Sequence, residues 1–389
     1  MKLKQTRDDF IVEEITNFEI KKSGEFKLYS LIKKGVETIN LIAELERRNE
    51  ISRKFIGIAG IKDKHAVTSQ YVTIPKIYEF KALHGDGYSL KFLGYVDSSI
   101  EVGSHQRNKF TLTIRDLELK DLNNIDEKIK FVSDFGSVNY FDSQRFGSVL
   151  DNVFIAKFLI KEIYENALKQ YFITQFNSSS TSEKISREKK LILDNWGKFA
   201  ELKLTTFDFK RIQTEYIRTK SFRSAYKMIP TKLREMFVIS YQSYLWNECV
   251  KEYLIQNFNS NEIIKVKYAI GELYYLDYRC DNKKIEKTLE FIKTLGRNYE
   301  VTSDEQKISD IILKRENLTY EELKKVSKSG SFLKSQNRKV ISKPINLKYS
   351  KFEIDELNKN NGKKYKIKIS FELDKGSYAT NIVKAIFYQ

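Results

Sequence analysis

The spacing of hydrophobic positions changes twice along the chain. Lys4 to Ile15 (KQTRDDFIVEEI) alternates apolar and polar around Phe10 and Val12, as a half-buried strand does. Glu25–Ile32, Tyr71–Ile74 and Leu90–Tyr95 read as further strands, and Phe110–Arg115 (FTLTIR) alternates strictly. Among them, Thr38 is placed to cap a helix whose apolar residues Ile39, Ile42 and Leu45 recur at helical spacing. From Asp151 the segments lengthen and become helical. Asn177–Ser182 (NSSSTS) predicts a mobile loop, and Met236–Val250 (MFVISYQSYLWNECV) a largely buried helix around Phe237, Tyr241, Leu245 and Trp246. After Pro344 strand character returns, and Lys364–Leu373 (KYKIKISFEL) alternates as an antiparallel strand ahead of a short helix. The pattern predicts an α+β protein with a mixed, mainly antiparallel sheet in residues 1–150 and 340–389, interrupted by an inserted second domain in 151–339.

With 389 residues a sizeable core is assured, and two parts are expected. A net charge of +17 and 13% aromatic residues are the electrostatic and stacking equipment of a nucleic-acid binder, although a basic solvated surface would give the same count. Only Cys249 and Cys280 are present, too few for a disulfide framework, and they fit a reducing cytoplasm. Charges interrupt the first residues, and no apolar run is long enough to span a bilayer, so a soluble protein without membrane association is expected. His65, His84 and His105 are scattered and form no cluster with cysteine, so no metal site is expected.

The chemistry concentrates in Gly57–Gln70 (GIAGIKDKHAVTSQ). Ile56 and Ile58 suit a buried strand, while Gly57 and Gly60 let the backbone turn tightly or approach something closely. Beyond them Lys62, Asp63, Lys64 and His65 set one carboxylate among cations, where it stays ionised and can act as nucleophile, base or metal ligand. Elsewhere, Val138–Gly147 (VNYFDSQRFG) sets aromatic rings beside an amide and an arginine, a platform for a base as much as a piece of core. The tract Lys203–Lys227 holds Lys210, Arg211, Arg218, Lys220, Arg223 and Lys227 beside Phe207, Tyr216 and Phe222, which suits a phosphate-tracking face. Lys324–Lys343 is also cationic, with a break at Ser329–Ser331 and Arg338 near its end.

Ala59, Gly60, Lys62, Asp63, His65, Ala66, Thr68 and Gln70, as spaced here, resemble the catalytic loop of the TruD family of tRNA pseudouridine synthases. The resemblance continues through Asp8–Glu13, Asn139–Gly147, Ser240–Asn247 and Gly376–Thr380, in the family's order and over essentially the whole chain. It implies a pseudouridine synthase catalytic domain with an inserted TRUD domain, and the isomerisation of uridine in tRNA, at position 13, without cofactor or metal. It makes Asp63 the catalytic nucleophile, with Lys4, Lys62, Asn139 and Phe141 in support and Phe141 against the target base. Arg107, Asn108 and Lys109 resemble the family's basic Arg-Gly-Asn segment against RNA, here without the glycine, and Arg145 supports the second signature. Asp374 stands where the family usually has proline. Lys62 neighbours Asp63 in sequence but can point away, which leaves Lys4 as the alternative partner. The expected species is a cytoplasmic monomer whose partner is tRNA. Two readings from other classes compete: a non-catalytic RNA-binding or RNA-chaperone protein on the same fold, and a magnesium-dependent nuclease, the weaker because no paired-acid motif lies near the loop.

Overall fold

The alternating segments at both ends of the chain build one sheet. In the computed structural model, which describes every residue except 175–182, 298, 301, 327–332, 359–361 and 389, the first part runs β1 (Phe10–Ile15), β2 (Phe26–Lys34), α1 (Thr38–Asn49), β3 (Gly57–Ile58), β4 (Val67–Pro75), β5 (His84–Gly85), β6 (Tyr88–Val96), β7 (Arg107–Leu117) and α2 (Ile125–Phe135). The chain divides into two compact units, Met1–Ser137 with Ser342–Gln389, and Val138–Ile341. The expected loop at Asn177–Ser182 and the break at Ser329–Ser331 lie outside the described residues.

In the first unit the late strands Ile345–Tyr349 and Tyr365–Asp374 join the early ones in a 10-stranded sheet. The order is Ile345–Tyr349, Tyr365–Asp374, β7, β1, β4, β2, β6, β5, with β3 paired to β4 and Glu353–Ile354 to Tyr365–Asp374. β1 and β4 run parallel; their other pairings and the rest of the ladder are antiparallel, so the sheet is mixed and mainly antiparallel.

Register decides which side chains share a face. Val12 pairs with Thr68 and with Phe110, and Phe110 with Phe371, which fixes one inner row. One step along, Glu14 pairs with Asn108 and approaches Tyr71, while on β2 Leu31 pairs with Gln70 and Lys33 with Thr68. The inner face is therefore apolar through Phe10, Val12, Leu112, Ile369 and Phe371 and turns polar at one end, with Glu14, Lys33, Thr68 and Gln70 all buried. Burying such groups costs stability unless they are bonded, so their concentration marks a place where something other than packing sets the residue types.

Helix α1 lays Leu41, Ile42 and Leu45 on Leu31, Val72, Ile74 and Leu90, each side chain contributing roughly 1.5–3 kcal/mol by leaving water. Its start differs from expectation. Glu37 is the cap residue and makes no side-chain capping bond, while Thr38 is already helical and spends its hydroxyl on the loop around Asp63; Ile39, counted in the apolar pattern, is 56% exposed. Strand β7 begins at Arg107, so Arg107, Asn108 and Lys109 lie inside it rather than ahead of it, because β1 and Tyr365–Asp374 supply ladder partners to both edges regardless of side-chain polarity. The strand Tyr365–Asp374 ends at Asp374, and the turn after it uses Gly376 at φ +84°, a left-handed conformation that suits glycine.

In the second unit the 27-residue helix Thr231–Asn257 buries Phe237, Val238, Tyr241, Leu245, Trp246, Val250 and Leu254, as its sequence predicts. It packs on the helices Ile155–Ile160 and Ser303–Arg315. The unit also holds a hairpin of Ile263–Tyr268 and Gly271–Leu276, a short ladder of Phe291–Lys293 with Asn337–Lys339, and the helices Tyr164–Ile173, Glu183–Asp194, Phe207–Thr219 and Phe222–Lys227. Among the described residues no helix is long and apolar enough to cross a membrane, and no group of three or more His, Cys, Asp or Glu side chains is placed to hold a metal ion.

Candidate active site

The loop between β3 and β4 begins under tight steric control. A Cβ on Gly57 would meet Thr73 Oγ1 at 2.4 Å and the Ile100 carbonyl at 2.6 Å, so glycine is required there. A Cβ on Gly60 would meet nothing within 4 Å and its φ is not positive, so within the chain neither a close approach nor a left-handed turn calls for glycine there.

Two side chains from beneath, Lys33 and Thr38, fix the backbone at Lys62 and Asp63. The fully buried Lys33 ammonium donates to the carbonyls of Val36 (3.0 Å), Lys62 (3.2 Å) and Asp63 (2.8 Å). The Thr38 hydroxyl donates to the Lys62 carbonyl and accepts from the Lys62 N–H, both at 3.1 Å. The Lys62 side chain turns under the loop to Glu14, at 2.6 Å, and Glu14 Oε2 accepts the Tyr71 N–H at 3.0 Å. Lys62 is thus committed to a buried ion pair, a device that is destabilising to break from one side. The Gln70 amide adds a longer bond of 3.4 Å to the Gly60 carbonyl.

Asp63 itself faces Lys4. The Lys4 ammonium donates to Asp63 Oδ2 and lies 4.1 Å from the centroid of the Phe10 ring, while Asp63 Oδ1 accepts the His65 N–H at 2.9 Å. Burial works against the charged carboxylate. The hydrogen bond and charge of Lys4, then the His65 N–H and imidazole, outweigh it and hold the Asp63 carboxyl below its ordinary range. At neutral pH it is ionised, with 19% of the side chain open to solvent. Of the two candidate lysines it is Lys4 that meets Asp63. Replacing Lys4 with Met removes the two largest influences that lower the carboxyl, so Asp63 is expected to titrate at higher pH when its side-chain carbon is followed by NMR; an unmoved titration would refute this pairing in solution.

Next to Glu14, the Asn108 amide meets His105 Nε2 at 3.2 Å. Burial, followed by the charge of Lys62, lowers the His105 pKa against the opposing pull of Glu14, so this imidazole is neutral at pH 7. Arg107 reaches Glu372 (3.5 Å) and Asp374 (3.4 Å), and Lys109 reaches Glu13 (2.9 Å), all partly open to solvent.

The second unit holds the other set. The buried Asn139 donates its backbone N–H to Val340 and its amide to the Lys339 carbonyl (3.2 Å), and its Oδ1 accepts from Arg338 (3.0 Å). The Phe141 backbone is held from both sides by the Asn247 side chain, which accepts its N–H at 3.0 Å and donates to its carbonyl at 2.8 Å. One face of the half-buried Phe141 ring carries the Arg338 guanidinium, 3.9 Å from the centroid; Trp246 stands edge-on at 5.6 Å and Arg145 lies 5.4 Å away. In the basic tract, Lys210, Arg211, Lys220, Arg223 and Lys227 are exposed, and Tyr216, Phe222 and Trp196 stack in series.

Lys4, Lys62 and Asp63 therefore share one loop environment in the first unit, while Asn139, Phe141 and Arg145 share another in the second. Lys33, Glu14 and Thr38 in the first and Arg338 in the second were not singled out from sequence as parts of a site. A signal existed for two of them: Lys33 follows Tyr29 and Leu31, and Glu14 follows Phe10 and Val12, each a charge in the inward register of its strand.

Comparison with known proteins bears on what this arrangement does. A family profile described as tRNA pseudouridine synthase D (TruD) matches residues 1–386. "Probable tRNA pseudouridine synthase D 2" of Methanocaldococcus jannaschii is 38% identical over 397 residues, spanning 100% of this chain and 92% of that protein. The tRNA pseudouridine synthase D of Aquifex aeolicus is 30% identical over 397 residues, spanning 100% and 98%. A crystal structure from Methanosarcina mazei given under the TruD name superposes with a TM-score of 0.71 at 24% identity, covering 99% of this chain and 93% of that one, a likeness of fold.

Proposed function

The chain belongs to the TruD family of tRNA pseudouridine synthases, and on that premise we propose that Asp63 is the carboxylate that performs the isomerisation and that uridine 13 of tRNA is its target. The observation that carries the assignment of Asp63 is its setting: an ionised, partly open carboxylate whose backbone is fixed by Lys33 and Thr38 and whose side chain is oriented by Lys4 and the His65 N–H.

The reaction breaks the bond from C1′ to N1, turns the uracil and joins C1′ to C5; C5 gives up its hydrogen and N1 gains one. Atoms and oxidation state balance without a co-reactant. An ionised carboxylate can start this by adding to C1′, by adding to C6 of the base, or by taking the 2′ proton so that a glycal forms. In each route Lys4 keeps the carboxylate charged until substrate arrives, and the His65 N–H holds its second oxygen in place. The first unit is then the pseudouridine synthase domain and the second the inserted TRUD domain. Phe141, presented by Asn247 and backed by Arg338, offers a ring to the flipped base, with Asn139 fixing the Arg338 side chain behind it. Arg107, Asn108, Lys109 and Arg145 are assigned to the RNA; the exposed pairs of Arg107 and Lys109 with carboxylates are weak enough for a phosphate to displace them. The enzyme is further proposed to act as a cytoplasmic monomer.

The test is tritium release from tRNA labelled at C5 of uridine and lacking the modification. Release that falls to background when position 13 is cytidine supports both the activity and the site. Release that persists on the cytidine-13 transcript moves the target elsewhere, and no release from either transcript overturns the reading.

A further inference from the structure

The segments around Asp63 expose three apolar side chains. Ile61 is 65% exposed, Val102 86% and Ile39 56%. Isolated exposed apolar residues are ordinary on any surface. These three are tied together by backbone. Thr38, next to Ile39, is bonded to Lys62, next to Ile61; Gly103, next to Val102, donates its N–H to the Ala59 carbonyl at 2.8 Å. The apolar groups therefore sit on segments clamped to the same loop that carries Asp63.

Ile61 has the most telling position. It stands two residues before Asp63, and the carbonyls of the two residues that follow it are held by the buried Lys33 ammonium. A side chain on so fixed a backbone keeps its place when something presses on it, and a hydrocarbon held out into water two residues from an ionised carboxylate gains by meeting another apolar face. In a folded RNA the broadest such faces are those uncovered when a base leaves the stack. Proteins that unstack bases do so with aliphatic or aromatic wedges set between base steps.

We propose that Ile61 is the wedge that enters the base stack of the substrate RNA beside the target uridine, filling the place the uracil leaves as it turns toward Asp63, with Val102 and Ile39 covering the flanking sugar and base faces. This rests on the assignment of Asp63 as the reacting carboxylate. It separates two tasks on one loop: Ile61 opens the stack and Asp63 acts on what comes out.

The experiment compares Ile61→Ser and Ile61→Met in single-turnover reactions on two RNAs: a folded tRNA transcript, and the same transcript with the base 3′ to the target removed, so that the uridine is already unstacked. Ile61→Ser is expected to be about tenfold slower on the folded transcript and within about twofold of wild type on the abasic one, because unstacking is cheapest where the stack is already broken. Ile61→Met, which keeps an aliphatic wedge, is expected to restore most of the rate. A 2-aminopurine placed beside the target reports unstacking without turnover; in an Asp63→Asn background its fluorescence should rise on binding, and the rise should vanish when Ile61→Ser is added. Equal slowing on both RNAs, no slowing on either, or an unchanged fluorescence rise would overturn the wedge. Failure of the underlying assignment looks different: Asp63→Asn would then turn over substrate whatever stands at position 61. Because Ile61 is largely exposed, an unchanged melting temperature in both variants confirms that the fold is intact.

Discussion

Replacing Asp63 with Asn is expected to lower the single-turnover rate by about 10⁴-fold or more while leaving tRNA affinity within a few-fold, since removal of a reacting group costs on that order when binding is untouched. The carboxamide fills the same space and its oxygen can still accept the His65 N–H, so the loop keeps its shape; what disappears is the charge that Lys4 neutralises. No proton-transfer or addition route from this position survives that loss. The pH dependence follows with a definite sign. The carboxyl is held below its ordinary range in the folded protein, so its ion pair with Lys4 adds stability that is fully present above the unfolded carboxyl value and is lost as pH falls through the lowered folded one. The same fall in pH protonates the carboxylate proposed to react, so activity and this share of stability should decline together in acid. Tritium release and filter binding on the same preparations check the first claim. Substantial release by the Asn variant would remove Asp63 from the chemistry.

Lys33→Met is the second change with a large expected effect, because it withdraws one ammonium from three carbonyls at once, two of them belonging to Lys62 and Asp63. Methionine fills the hole and donates nothing. The loop backbone loses its anchor, and a misplacement of the reacting group by about 1 Å costs on the order of 10² in rate. The rate of the bound complex should fall by about that factor with little change in affinity, since Lys33 is fully buried. Burial pulls the Lys33 pKa down to about 8, against the pull of Asp63 and with the push of Lys62. Below that value folded and unfolded chains both carry the proton. From about 8 up to the ordinary value of 10.5 the unfolded chain holds a proton that the folded one releases, so this residue makes stability rise with pH across that window. Activity moves the other way, because the neutral amine has two N–H groups for three carbonyls. An alkaline limb near pH 8 in the wild type, absent from Lys33→Met, is the expected signature. A variant that retains both rate and limb would show that Thr38 and Lys62 hold the loop without it.

How much of this could be read in advance depended on whether the information was local. Alternation located β1, β7 and the strand Tyr365–Asp374 because a two-residue period is written in neighbouring side chains. The limits of β7 were not so written: Arg107 and Lys109 are in the strand because ladder partners exist there, and a ladder reads backbone. Asp63 was legible as a charge beyond an apolar strand. Its partner stood open between Lys62 and Lys4, because Lys4 lies ahead of β1 and far from Asp63 in sequence, and whether Lys62 turned toward Asp63 or away depended on Glu14 waiting beneath. Thr38 was read as a helix cap on the strength of residue type; the Lys62 backbone competed for the same hydroxyl and won. Arg338 lay in a cationic tract with nothing to distinguish it from solvated lysines until the fold set it on Phe141.

The sheet also has a history. Strand β7 gains its neighbour on one side from β1 but on the other from Tyr365–Asp374, and residues 138–341 are made between them. At ribosomal speeds of about 5–20 residues per second, the roughly 250 residues from the end of β7 to the strand Tyr365–Asp374 take about 12 to 50 s, during which β7 is a bare edge on that side. Its exposed N–H and C=O groups are then a template for any other nascent strand. The loop that carries Asp63 is assembled from segments before residue 104 and can form early. Messages cut short within residues 138–341 would therefore release polypeptides that own the Asp63 loop but carry an unfinished edge, and cells expressing them have reason to clear them quickly.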